Sequence, residues 1–139
     1  MKRPCFLVVD REFAGNISTR KLLIETAKMN VITAYSGKEA MELYERFPAV
    51  SGVVLDASLG DMECEALVAG LKRKKRDLPI VVIESANVEC PTADYRVRSF
   101  DPAQLLEVLR GIEPKETQAI DDRDVELNRQ AAEGENGDR

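Results

Sequence analysis

Gly52-Val53-Val54-Leu55-Asp56-Ala57-Ser58 is a short apolar run that ends in a single acid. A continuous apolar stretch bounded by turn residues suggests a strand buried on both faces. An acid at the C-terminal end of such a strand stands where open α/β sheets bind ligands and do chemistry. Phe6-Leu7-Val8-Val9-Asp10 has the same shape. Two acids at the ends of two buried strands make a candidate phosphoryl or metal site.

Outward from these runs, strands and helices alternate. Strands are expected at Cys5 to Val9, Val31 to Ala34, Val53 to Asp56, Ile80 to Ile83 and Tyr95 to Val97. Helices are expected at Ile17 to Lys28, Gly37 to Phe47, Met62 to Arg76 and from Pro102 onward. Ser36 with Glu39 three residues on forms a capping box, and Asp101-Pro102 places an N-cap ahead of a proline at the first helical position. The alternation predicts an α/β fold with a parallel sheet. One link departs from it. Only Glu84 to Asp94 separate the fourth and fifth strands, and the stretch contains Pro91. A crossover with its helix needs at least roughly 10–12 residues, and proline disfavours a helix interior. The fourth crossover helix is therefore expected to be missing or reduced to a turn.

The 139 residues suit one domain with a normal core. Residues 1–112 hold 16 acids and 16 bases, whereas residues 113–139 hold 9 acids and 4 bases and so carry the whole net charge of −5. The second segment is poor in large apolar residues and reads as an acidic, mostly disordered tail, with a transient helix over Asp121 to Ala132. No apolar run approaches a membrane span and no signal-peptide pattern follows the start, so a cytoplasmic protein without a membrane partner is expected. Cys5, Cys64 and Cys90 lack CxxC spacing and read as reduced thiols. There is no His, so any catalysis would rest on carboxylates, hydroxyls, thiols, Lys or Arg. No Walker loop, GxGxxG or nucleophile elbow is present, and an unrelated flavodoxin-like enzyme or nucleotide binder is disfavoured on that ground. The neutral body argues against strong nonspecific nucleic-acid binding. The basic run Lys72 to Arg76 complements a helix C-terminus, or meets nucleic acid, an acidic partner or the acidic tail.

Five pieces in order carry a resemblance: Leu7-Val8-Val9-Asp10, Thr33 to Ala40, Val53-Val54-Leu55-Asp56, Leu78 to Ile83 and Tyr95 to Pro102. Over about four-fifths of its length the chain resembles the receiver domain of bacterial response regulators, the CheY-like variant of the flavodoxin-like fold. The resemblance implies five parallel strands in order 2-1-3-4-5 with helices on both faces. It also implies that Asp56 matches the aspartate that accepts a phosphoryl group from a histidine kinase, and that Tyr95 matches the aromatic switch position.

The pocket departs from the family at several places. Asp10 matches the first of two adjacent acids that help hold Mg²⁺, but Arg11 stands in the second place. A guanidinium has no acceptor for a metal that wants oxygen ligands, so Mg²⁺ at Asp10 and Asp56 is expected to be weak or absent. Glu12 would restore the second acid if the strand end shifted by one residue. Glu84 replaces the Ser or Thr that closes the fourth strand, and a register shift would be needed to turn Ser85 inward instead. A carboxylate there opposes a phosphoryl group by up to about 4 kcal/mol at about 4 Å and an effective dielectric near 20. Arg98-Ser99 replaces the family's Lys-Pro, and an Arg fork suits a carboxylate partner. Gly60 replaces a proline, while Ser58 still offers a backbone carbonyl. Pairs of Glu84 with Arg98, and of Arg11 with Asp10 or Asp56, would fill the pocket with an ion-pair network. The resulting expectation is an atypical receiver, not an enzyme, that works by protein–protein contact with a histidine kinase, another regulator or a second copy of itself. The alternative is a receiver phosphorylated on Asp56 with Mg²⁺.

Overall fold

A computed structural model describes residues 3–11, 19–85, 88–98 and 101–112. The acidic tail, Glu12 and Ser99 lie outside the described residues. The chain runs β1 (Cys5–Val9), α1 (Thr19–Thr26), β2 (Asn30–Ala34), α2 (Gly37–Arg46), β3 (Gly52–Asp56), α3 (Cys64–Lys74), β4 (Ile80–Glu84), β5 (Tyr95–Arg98) and α4 (Pro102–Ile112). All strand pairs are parallel, in the order β2-β1-β3-β4-β5. This is the flavodoxin-like, CheY-like arrangement that the resemblance implies.

The period of two in the central strands divides the core between the sheet's faces. Leu7, Val9, Val53, Leu55, Ile80 and Val82 meet Leu67, Val68 and Leu71 of α3 and Ala40 and Tyr44 of α2. Phe6, Val8, Val54, Val81 and Ile83 meet Ile24 of α1 and Leu105 and Leu109 of α4. Apolar residues therefore alternate in direction without a polar face, which is why β1, β3 and β4 read as continuous apolar runs. Gly52 suits a close approach, because a Cβ there would lie 3.1 Å from the Pro79 carbonyl oxygen and 3.3 Å from the Phe6 ring, tight enough that a neighbour would have to give.

Local signals in the sequence set the helix ends. Ser36 Oγ accepts from the Glu39 N–H at 3.0 Å, and Asp101 Oδ1 accepts from the Gln104 N–H at 3.0 Å, one residue ahead of Pro102. α1 ends by a reversal at Lys28, whose φ is 66°. There the Lys28 and Met29 N–H groups return to the carbonyls of Glu25 and Ile24, the paired closure that usually employs glycine.

A further cap crosses between elements. Asp61, in the β3–α3 loop, accepts from the first N–H groups of α2, Gly37 at 2.9 Å and Lys38 at 3.0 Å. These two donors hold its carboxyl below the usual carboxylate range. A carboxyl with a lowered folded-state pKa stabilises above its unfolded pKa, and the contribution disappears as pH falls through the folded value. Asp61→Ala is thus expected to cost about 1 kcal/mol near neutral pH, as for loss of a helix cap. The difference between variant and parent should close as the pH falls below about 4. Urea titrations at neutral and acid pH measure both; an equal deficit at both would exclude the charge-assisted cap.

Among the described residues no helix lies between β4 and β5. Ser85 and Val88 form an isolated bridge, and Val88, Cys90 and Ala93 pack against the α2–α3 side of the core. Asp94 closes the connection, its Oδ2 accepting from Lys72 Nζ at 2.6 Å and the Ile80 N–H at 2.8 Å. Among the described residues no helix is long and apolar enough to cross a membrane.

Candidate functional site

β1 and β3 are adjacent, with Val9 opposite Leu55, so their C-terminal ends bring Asp10 and Asp56 to one place. The cation between them is Arg20, the second residue of α1. Its Nη1 lies 2.9 Å from Asp10 Oδ1 and 2.7 Å from Asp56 Oδ2. One terminal guanidinium nitrogen carries two hydrogens, and here each is directed to a different carboxylate. The side chains of Arg20, Asp10 and Asp56 are only 18%, 16% and 13% exposed, so solvent screens the pair less than it would a surface bridge. Asp56 Oδ1 also accepts from the Ser58 N–H at 2.6 Å.

Arg20 corrects the expected role of Arg11. The strand end directs Arg11 toward the exposed side, and its backbone N–H donates to Asp10 Oδ1 at 2.9 Å. The longer path through α1 returns a different guanidinium to the acids. Arg20 was missed because its sequence position, ten residues from Asp10, says nothing about its direction. One signal was available. α1 carries Arg20 and Lys21 in its first turn and no acid there, the reverse of what the helix dipole favours. A base in that place is better tolerated when carboxylates lie beyond the helix end.

The expected Glu84–Arg98 pair also changes partners. Arg98 is opposite Glu84 in the strand register, yet Glu84 Oε2 accepts from the Cys90 N–H at 2.7 Å, and its Oε1 faces Arg96 Nε at 3.8 Å. The short β4–β5 connection doubles back over the end of β4 and supplies a backbone donor. Arg98 instead borders a cavity of about 520 Å³, together with Arg20, Leu23, Ile83, Val97 and Leu105. Ser85 is exposed and bridges Val88. Tyr95 is 40% exposed at the start of the edge strand, so its ring does not fill the pocket.

The cysteine expectation is overturned as well. Cys64 at the start of α3 and Cys90 in the β4–β5 connection form a disulfide, with Cα atoms 6.0 Å apart. Both are buried. Cys5 is the remaining free thiol, and burial pushes its pKa up.

A divalent cation does not fit this arrangement. Mg²⁺ demands near-octahedral oxygen coordination, whereas the facing oxygens of Asp10 and Asp56 are both committed to a guanidinium. Seating the metal there would place two positive centres together or require Arg20 to leave.

No family model matches the sequence, and no curated protein matches it. Solved structures do match in fold. A response regulator receiver domain protein from Clostridium thermocellum is 17% identical, with a TM-score of 0.69, over 84% of this chain and 96% of that one. A receiver protein from Pseudomonas putida is 20% identical, with a TM-score of 0.66, over 80% and 98%. CheY from Borrelia burgdorferi, solved with CheX, BeF3 and Mg²⁺, is 19% identical, with a TM-score of 0.67, over 78% and 88%. At these identities the likeness establishes the receiver fold.

Proposed function

We propose that this chain is an atypical receiver of two-component-type signalling that acts by docking to a protein partner without a phosphorylation cycle. It is not an enzyme in this reading. The observation that carries it is Arg20 between Asp10 and Asp56. A tethered guanidinium supplies the positive charge that a metal would otherwise bring, and it occupies an oxygen that a phosphoryl acceptor would use for attack. Glu84 adds a further negative charge at the adjacent strand end.

The outer edge of β5 supports the docking half of the proposal. Tyr95, Arg96 and Arg98 are exposed there, beside a connection with no helix among its described residues. Receivers do meet proteins directly, as in the Borrelia complex of CheY with CheX. The partner classes that suit this chain are a histidine kinase, another regulator or a second copy.

The competing reading is a receiver that accepts a phosphoryl group on Asp56, and it rests on the place of Asp56 at the end of β3. Incubation with acetyl phosphate and Mg²⁺, followed by intact-mass measurement, decides between them. The expected result is unmodified protein under conditions that fully modify an ordinary receiver. Stoichiometric modification at Asp56 with ordinary kinetics would establish the competing reading.

A further inference from the structure

Cys64 lies eight residues beyond Asp56 and Cys90 six beyond Glu84, so their disulfide joins the start of α3, just after the β3–α3 loop, to the β4–β5 connection. The first of these segments touches the ion-pair site, and the second touches the neighbouring end of β4. The β3–α3 loop donates the Ser58 N–H to Asp56, and the β4–β5 connection donates the Cys90 N–H to Glu84. The connection is held at its far end by Asp94 on Lys72 and the Ile80 N–H. Between these anchors, Val88, Cys90 and Ala93 reach the core, and Cys90 provides the covalent hold.

The disulfide also has an approach from solvent. Cys64, slightly exposed where Cys90 is fully buried, lines with Val88 a cavity of about 620 Å³. Asp61, Glu63, Glu65 and Glu89 also line it, which makes its mouth anionic. We propose that Cys64–Cys90 is a thiol–disulfide switch, opened by a dithiol reductant entering through this cavity, that releases the β4–β5 connection from the sheet.

The exchange balances without any further reactant. A thiolate of the dithiol attacks Cys64 Sγ, the sulfur of the cysteine that lines the cavity, and forms a mixed disulfide. The Cys64–Cys90 bond breaks, and Cys90 leaves as a thiolate that takes up a proton. The second thiol of the reductant then attacks the mixed disulfide and frees Cys64. The reductant becomes a cyclic disulfide, and the protein gains two thiols, two electrons and two protons. Opening removes the tether at Cys90 and with it the constraint that keeps the Cys90 N–H on Glu84. The anionic mouth disfavours negatively charged reductants, and salt should relieve that barrier.

The test uses the full chain, oxidised and then treated with dithiothreitol under native conditions. Alkylation and intact mass should show one reactive thiol before treatment and three after it. Hydrogen exchange over residues 88–94 should become at least about tenfold faster by local opening, while the amides of β1 and β3 stay far better protected and respond only to the change in global stability. Reduction by glutathione, whose thiolate carries further carboxylate charge, should accelerate with added salt more steeply than reduction by dithiothreitol, whose attacking thiolate carries a single negative charge. A Cys64→Ser/Cys90→Ser variant should match the reduced protein in exchange. Three reactive thiols after oxidation would overturn the proposal, as would unchanged exchange over residues 88–94 or global unfolding on reduction. None of these outcomes depends on whether Asp56 accepts a phosphoryl group.

Discussion

Arg20→Ala is expected to lose about 3 kcal/mol of stability in the absence of divalent cations and to gain a Mg²⁺ response that the parent lacks. Removing one member of a buried ion pair typically costs roughly 3–5 kcal/mol, because the charge left behind is neither solvated nor compensated. The slight exposure of Asp10 and Asp56 sets the expectation at the lower end. Their loss is shared, since one nitrogen serves both carboxylates, and the two acids then repel each other across the space Arg20 vacated. That space has the charge and donor atoms for a cation. A ligand that binds only the folded state stabilises it by about 2.7 kcal/mol at one hundred times its Kd. Mg²⁺ should thus return most of what the substitution removed. Denaturant titrations of parent and variant, each with EDTA and with saturating Mg²⁺, give the four values needed. If Mg²⁺ stabilises the parent as much as the variant, Arg20 is not a barrier to the metal and the proposed function loses its main support.

The same residue shows where reading the sequence stops. The strand ends carrying Asp10 and Asp56 were legible because buried parallel strands are apolar throughout, so a terminal acid stands out against its run. The helix starts at Ser36 and Asp101 were legible because capping chemistry is local. The shortened β4–β5 connection followed from counting residues and from Pro91. Ion-pair choice is not local in this sense. Arg11, Arg20, Arg96 and Arg98 are all long, flexible cations within reach of the site by topology. Which of them meets an acid depends on helix phase and loop path at the scale of a few ångströms. Glu84 took a backbone N–H and faced Arg96 because the connection folds over β4, and no sequence pattern encodes that path. The disulfide was illegible for a related reason: a separation of 26 residues gives no distance in space until β3, α3 and β4 are placed.

Reduction of Cys64–Cys90 is expected to lower stability by about 3.5 kcal/mol while the sheet remains folded. A crosslink chiefly restricts the unfolded chain, and the chain-entropy relation gives about that value for a loop of this length. The melting temperature of a domain of this size should fall by roughly 10 °C or more. Reduction is a cleaner test than substitution, because it breaks the crosslink without removing or replacing any side-chain heavy atom. The denaturant dependence separates the two contributions. If the crosslink acts on the unfolded state, reduction lets that state expand and expose more surface, so the urea m-value should rise as stability falls. A stability loss with a constant m-value would assign the effect to contacts of the folded β4–β5 connection instead. No loss at all would mean that Asp94 and the apolar contacts of Val88 and Ala93 hold the connection unaided, and the disulfide would then lack the leverage a switch requires.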